Sequence, residues 1–276
     1  KLNEKKNKID INDLGYLIGP ILNAGGRLGK SQYATELLSS NNDLVVNDRC
    51  KSLIKLNDKR KEIESLILEE IDFKKIEQIS ICSVVPDAVH SLRNACMKYF
   101  DTSPFELGPG SKTGLKINYR NPQEVGADRI ANALAAVKRF PKKNLIIIDF
   151  GTATTFDVVS KNKVYKGGTI FPGIQISMEA LEQKAAKLQP VEIIRRKLAV
   201  GRSTIGSIQS GLYYGQMGMV KELVKKITEE EFSDDKPLVV ATGGFSKLYQ
   251  KDNLFDIIVP ELVLEGIHIS IKMNKK

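Results

Sequence analysis

Histidine is almost absent from this chain. With only His90 and His268 among 276 residues, neither a Ser-His-Asp triad nor a multi-histidine metal centre is a natural reading, and a general base is sought among carboxylates. Cysteine is nearly as scarce. Cys50, Cys82 and Cys96 are odd in number and lack metal-ligand spacing, which argues against a disulfide framework and a zinc site and leaves small, buried or half-buried residues. Long apolar runs are missing too. No stretch approaches the length needed to cross a bilayer, and "KLNEKKNKIDIND" has no apolar segment behind its lysines. The expectation is no membrane anchor, no signal peptide and a cytoplasmic address.

What is present suits a globular protein of two domains or two lobes, with 42% hydrophobic residues and a net charge of +9. The charge is unevenly placed: residues 1–70 carry only +1, leaving +8 for the rest. Because the excess lies away from the N-terminal segment, basicity is weak evidence for a nucleic-acid partner.

Two segments differ in character. The first reads "LGYLIGPILNAGGRLGKSQYATELLSS", whose Gly-Pro and Gly-Gly pairs predict a shaped loop from Gly19 to Gly29, followed by a short helix. A long amphipathic helix follows from Leu44 to Ile71, with Leu53, Leu56, Ile63, Leu66 and Ile67 as its apolar stripe. The second begins near Asp72 and alternates strands with helices, the pattern of an α/β lobe. A helix from Ile174 to Leu188 and a turn at "KGGTIFPG" are among its expected elements.

Three constellations carry chemistry. In "NLIIIDFGTATTFDVV" an apolar strand ends in Asp149, and Gly151, Thr152, Thr154 and Thr155 make a hairpin bend before the strand pattern resumes. Backbone N–H groups and hydroxyls there suit an anion, while the acid would repel a bare phosphate unless a cation stood between; a tight hairpin with threonines chosen for strand propensity is the plainer alternative. "VVATGG" ends in Gly243 and Gly244 ahead of an expected helix, a plausible nucleotide clasp or an ordinary strand-to-helix turn. "YRNPQEVGADR" places Asp128 and Arg129 in the first turn of a helix. Asp128 there is either a cap and dipole partner or a base facing a substrate hydroxyl, with Arg129 forking onto a substrate carboxylate.

With "CSVVP", "GPGSKTGLKINY", "GGTIFPG" and "GRSTIGSIQSGLYYG" in the same order, the stretch from about Ile76 to the C-terminus closely resembles type III pantothenate kinase. The resemblance implies an α/β, actin-like ATPase fold of two lobes, shared with acetate kinase, heat-shock-70 and hexokinase, and ATP-dependent phosphorylation of pantothenate at its primary hydroxyl, the first committed step toward coenzyme A. It implies Asp128 as proton acceptor, Tyr119, Gly126, Ala127, Asp128, Arg129 and Thr204 around pantothenate, and Asp149 as monovalent-cation ligand. Thr152, Gly151, Thr154, Gly243 and Gly244 would stand at ATP. Mg²⁺, K⁺ or NH₄⁺, and a homodimer are implied as well.

The family's opening D-x-G-N-T phosphate loop does not occur among these residues. In its place "GPILNAGGRLGKSQYATELL" and "LIKLNDKRKEIESLILEEI" resemble a segment of RecJ-type single-strand exonucleases, without that family's metal-binding motifs. Arg27 would there keep a phosphate contact or cap loop carbonyls. The expected layout is a RecJ-like loop and helix over 1–72 as an N-terminal helical extension, the remainder of an incomplete first kinase lobe over 73–142, and the second lobe over 143–276. Two other readings stay open: a non-catalytic chain whose long helix fills the groove left by the missing hairpin, and a nucleic-acid-binding module using the RecJ-like segment.

Overall fold

The computed structural model describes residues 20–22, 32–70, 76–84, 86–184, 191–233 and 235–275. The chain divides into two compact units, residues 1–77 and 78–276. In the first, α1 (Gln32–Ser39) packs on α2 (Asp43–Glu70), close to the expected helix bounds. Arg49 of α2 ties the pair together by bonding Glu36 and lying 4.5 Å from the Tyr33 ring centroid, and Leu53 and Asn57 are buried further along α2. Asn42 starts α2 by accepting the Leu44 N–H at 2.9 Å. Residues 20–22 are helical, where the Gly-Pro pair predicted a loop; proline is tolerated in a first helical turn. Arg27 and the side chains of Ile63, Leu66 and Ile67 lie outside the described residues.

The second unit is a mixed α/β fold built on six strands. β1 (Ser80–Ile81) and β2 (Phe105–Glu106) form a separate parallel pair flanking α3 (Pro86–Phe100). The main sheet contains β3 (Lys116–Ile117), β4 (Leu145–Phe150), β5 (Ala153–Val159), β6 (Val164–Pro172), β7 (Leu238–Thr242) and β8 (Ile257–Ile258), in the order β3-β6-β5-β4-β7-β8. β4, β5 and β6 run as an antiparallel meander, and β7 lies parallel to β4 on its other side. Helices cover both faces, so Leu145 to Ile148 are all fully buried.

Strand alternation sorts the side chains. Ile146, Ile148, Phe150, Phe156 and Val158 join a core with Tyr213, Val220 and Ile227 of α6 (Thr204–Glu231), and Ile174 from α5 (Ile174–Lys184) reaches the same core. Leu145, Ile147 and Val159 face the opposite way, against Ala133, Ala135 and Ala136 of α4 (Ala127–Arg139) and Leu262 of α7 (Leu262–Met273). The small residues of α4 admit close approach. At Gly266 of α7 an added methyl would overlap the backbone carbonyl of Ala131.

Two expectations are corrected. "KGGTIFPG" is not a turn but most of the nine-residue strand β6; its Gly168 lies so near the Phe156 carbonyl that a methyl would overlap it, so the glycine serves strand contact. After "VVATGG" comes one four-residue 3₁₀ turn, Ser246–Tyr249, not an α-helix, and the argument for a helix N-terminus at Gly243 and Gly244 lapses. α5 is described to Lys184, and the expected continuation to Leu188 lies outside the described residues.

Candidate active site

The site is assembled at the N-terminus of α4. Asn121 accepts the Gln123 N–H at 3.3 Å and starts a 3₁₀ turn at Pro122–Glu124; Val125 is buried, and Gly126 stands as the N-cap of α4. Glycine offers no side-chain cap. Asp128 supplies one from within, its Oδ1 accepting the Arg129 N–H at 2.8 Å. A methyl on Gly126 would come within 2.5 Å of that Oδ1, so the carboxylate occupies space that only glycine leaves. Oδ2 of this half-buried aspartate has no partner among the described residues.

Arg129 and Asn132 lie three residues apart on the same helix side and meet two acids of the sheet. Arg129 is 7% exposed. Its Nε donates to Asp157 Oδ1 at 2.7 Å and its Nη2 to the Phe156 carbonyl at 3.1 Å. Tyr165 of β6 donates its hydroxyl to the same Asp157 oxygen at 2.7 Å. Burial pushes the Asp157 carboxyl up to about 6, with the Arg129 charge and the Tyr165 hydroxyl opposing. Nη1 of Arg129 has no partner among the described residues. The expected fork of Arg129 onto a substrate is thus reduced, because one edge of the guanidinium is already taken.

Asn132 donates to Asp149 Oδ2 at 2.9 Å. The other oxygen, Oδ1, lies between two turns: methyls on Gly151 and Gly243 would stand respectively 3.5 Å from it and in overlap with it. The two glycine-bearing stretches singled out in the sequence therefore converge on one carboxylate. Burial raises the Asp149 carboxyl above its usual range, the Asn132 amide lowers it and the Asp128 charge raises it. The last effect puts Asp128 and Asp149 within each other's field.

Other expected residues fall in varied places. Tyr119 touches Gly167, whose added methyl would lie 3.4 Å from the ring. Thr152 is exposed in the hairpin bend, and its carbonyl accepts the Gly173 N–H at 3.1 Å. Gly244 is exposed and a methyl there would meet nothing within 4 Å. Thr154 is fully buried on the α6 face, its hydroxyl accepting from Gln216 at 2.6 Å. A hydroxyl so enclosed has no open side for a nucleotide. Thr204 opens α6 and is exposed; the described hydrogen bonds do not tie it to the Asp128 network.

Sequence reasoning missed Asn132, Asp157 and Tyr165. Asn132 was within reach, since 128, 129 and 132 are the polar positions in the first two turns of an alanine-rich helix, at i, i+1 and i+4 spacing. Asp157 shares a strand face with Thr155, the residue opposite Asp149. Among the described residues no group of three or more His, Cys, Asp or Glu side chains is placed to hold a metal ion.

A sequence model of the family described as type III pantothenate kinase matches residues 35–226. This chain belongs to the type III pantothenate kinase family. A protein named type III pantothenate kinase from Legionella pneumophila (strain Corby) is 57% identical over 199 residues, 72% of this chain and 78% of the relative. One named type III pantothenate kinase 1, from Francisella tularensis subsp. holarctica (strain OSU18), is 47% identical over 207 residues, 75% of this chain and 81% of the relative. Among solved structures, a conserved putative Baf family transcriptional activator from Campylobacter jejuni shares the fold, with a TM-score of 0.51 at 23% identity over 76% of this chain and 87% of its own. The pantothenate kinase match takes in residues 35–71, which the sequence reading likened to RecJ, and these comparisons lend that likeness no support.

Proposed function

We propose that this chain transfers the γ-phosphoryl group of ATP to the primary hydroxyl of pantothenate, giving 4′-phosphopantothenate, the entry to coenzyme A synthesis. The observation that carries this reading is the free Oδ2 of Asp128 in a helix N-terminus that also holds Arg129 and shares a field with Asp149, in a chain of this family. Asp128 accepts the hydroxyl proton as the alcohol oxygen bonds to the γ-phosphorus and the bond to the β-phosphate oxygen breaks, releasing ADP. The demand on the base is modest, because phosphoryl transfer depends mainly on positioning and on charge stabilisation.

Nη1 of Arg129 and the Tyr119 ring face the pantothenate carboxylate end, with Gly126 and Ala127 as backbone wall. At the nucleotide end we assign the exposed Thr152, Gly151, Gly243 and Gly244. Asp149 Oδ1 fits a monovalent cation, K⁺ or NH₄⁺: it is a hard oxygen, half enclosed, with a neighbouring buried acceptor, Asn132 Oδ1, left without a partner. Such an ion would offset the repulsion between this acid and a triphosphate. Mg²⁺ would arrive with the nucleotide. A homodimer is supported by exposed apolar side chains at Ile170, Phe171, Leu198, Val200 and Ile205; the division at 142/143 gains no such support, because β3 and α4 pack with the main sheet. A cytoplasmic address accords with the reaction; none of the described helices is long and apolar enough to cross a membrane.

The test is a coupled assay of the purified chain with ATP, pantothenate, Mg²⁺ and K⁺, run beside a version given a D-x-G-N-T phosphate loop at its N-terminus. Phosphopantothenate formation that Asp128→Asn abolishes, with the fold kept, supports the reading. Unchanged turnover in that variant removes Asp128 from the role, and no product from either version refutes the kinase reading.

A further inference from the structure

The ion pair beneath α4 has a feature that holding a helix to a sheet does not require. Asp157 is fully buried, and its two oxygens are used unequally. Oδ1 takes both Arg129 Nε and the Tyr165 hydroxyl, each at 2.7 Å, while Oδ2 is buried without any partner. A buried carboxylate with half its acceptor capacity idle is costly, and replacing such pairs by apolar residues is often neutral or stabilising. Stability alone therefore does not explain this acid.

Its geometry acts on one group. Asp157 Oδ1 takes Nε, the Phe156 carbonyl takes Nη2 at 3.1 Å, and Gly168 leaves room that a methyl, 2.8 Å from Nη2, would fill. The Tyr165 ring centroid lies 6.0 Å from the guanidinium carbon. Three strand positions thus hold the Nε–Nη2 edge of a planar fork, and planarity leaves Nη1 a single direction.

We propose that Asp157 is a positioning residue that aims the free Nη1 of Arg129 at the carboxylate of the acceptor substrate, making the site selective for an anionic alcohol over its neutral analogue. This rests on the function proposed above. Tyr165 assists by holding Asp157 Oδ1 against rotation, and Asp157 itself does not touch substrate.

The experiment measures binding of pantothenate, and of pantothenol, in which an alcohol replaces the carboxylate, to the full chain by calorimetry. The unmodified chain should prefer pantothenate. Asp157→Asn, similar in shape but uncharged, should weaken pantothenate roughly tenfold, the scale of one charge-assisted hydrogen bond, and leave pantothenol unchanged. Equal weakening of both ligands, or of neither, overturns the proposal, since a merely structural acid would not distinguish them. If Asp157→Asn does not fold, Tyr165→Phe takes its place, with a smaller loss confined to pantothenate expected and an equal loss overturning. Failure of the function itself looks different: the unmodified chain would bind neither ligand, or would not prefer the anion, before any substitution was made.

Discussion

Asn132 of α4 donates its side-chain amide to Asp149 Oδ2 across 2.9 Å, joining the helix that carries the proposed base to the strand that ends at the proposed nucleotide turn. Both groups are largely withdrawn from water, with Asn132 only 1% exposed. Removing the donor leaves a half-buried carboxylate without its protein partner. Asn132→Ala should lower stability by about 1.5–3 kcal/mol, the range for a hydrogen bond to a charged group, and should raise the KM for ATP as Asp149 protonates more readily. Denaturant unfolding and initial-rate kinetics check this; unchanged stability would show the bond to be incidental.

Gly126 and Asp128 compete for the same space. A methyl at Gly126 would come within 2.5 Å of Asp128 Oδ1, and the carboxylate, as the movable partner, would swing away. The backbone at Gly126, with φ −56° and ψ 141°, is open to alanine. Gly126→Ala should therefore fold with a small loss of stability and show a roughly tenfold or larger fall in kcat, since proton transfer by a positioned group contributes about 10²-fold or more. A wild-type kcat would mean that the observed carboxylate position is not the working one.

The elements that local chemistry dictates were legible in the sequence. The β4–β5 hairpin follows from an apolar run, a Gly-Thr bend and a second apolar run, and the start of α4 from "VGADR". Legibility failed where tertiary contact overrides a local signal. The glycines of "KGGTIFPG" signal a turn, yet Gly168 is needed because Arg129 and the Phe156 carbonyl crowd against the strand. Composition also hid the difference between Thr152, which sits in the open bend before β5 begins, and Thr154, which lies within that strand and is buried. The Arg129–Asp157–Tyr165 contact joins a helix and two strands, and no spacing along one element reveals it.

Thr152 and Thr154 accordingly separate in a kinetic test. Thr154→Val deletes a buried hydroxyl bonded to Gln216 at 2.6 Å and leaves that amide unsatisfied, which costs roughly 1–3 kcal/mol; stability should fall with the KM for ATP unchanged. Thr152→Ala should do the reverse. The same KM shift in both variants would return Thr154 to the nucleotide site.

Gly243 and Gly244 are adjacent but not equivalent. Gly243 has φ +86°, and a methyl there would overlap Asp149 Oδ1 and lie 2.7 Å from the Phe150 backbone, which has nowhere to move. Gly244 meets nothing within 4 Å. Gly243→Ala should destabilise by about 1–3 kcal/mol from backbone strain alone and remove ATP binding. Gly244→Ala should leave stability within about 0.5 kcal/mol, as surface substitutions generally do. Equal melting temperatures for the two variants would contradict the placement of Gly243 against Asp149.

The buried acid at Asp157 gives the protein a pH signature whose sign can be worked out. Its carboxyl is raised from 3.8 to about 6, chiefly by burial, so between those values the folded state holds a proton that the unfolded chain has released. The associated stabilisation is fully present below about pH 4 and is lost as pH rises through 6. Asp149 is raised as well and acts in the same direction. On acidification from pH 7 to pH 5, the melting temperature of the unmodified chain should therefore gain on that of Asp157→Asn, in which the 157 contribution is absent. Thermal unfolding of the two proteins across this range decides the matter. Parallel curves would mean that the Arg129 charge holds Asp157 ionised at its ordinary value despite burial, and a gap changing in the opposite sense would mean that the ion pair outweighs desolvation.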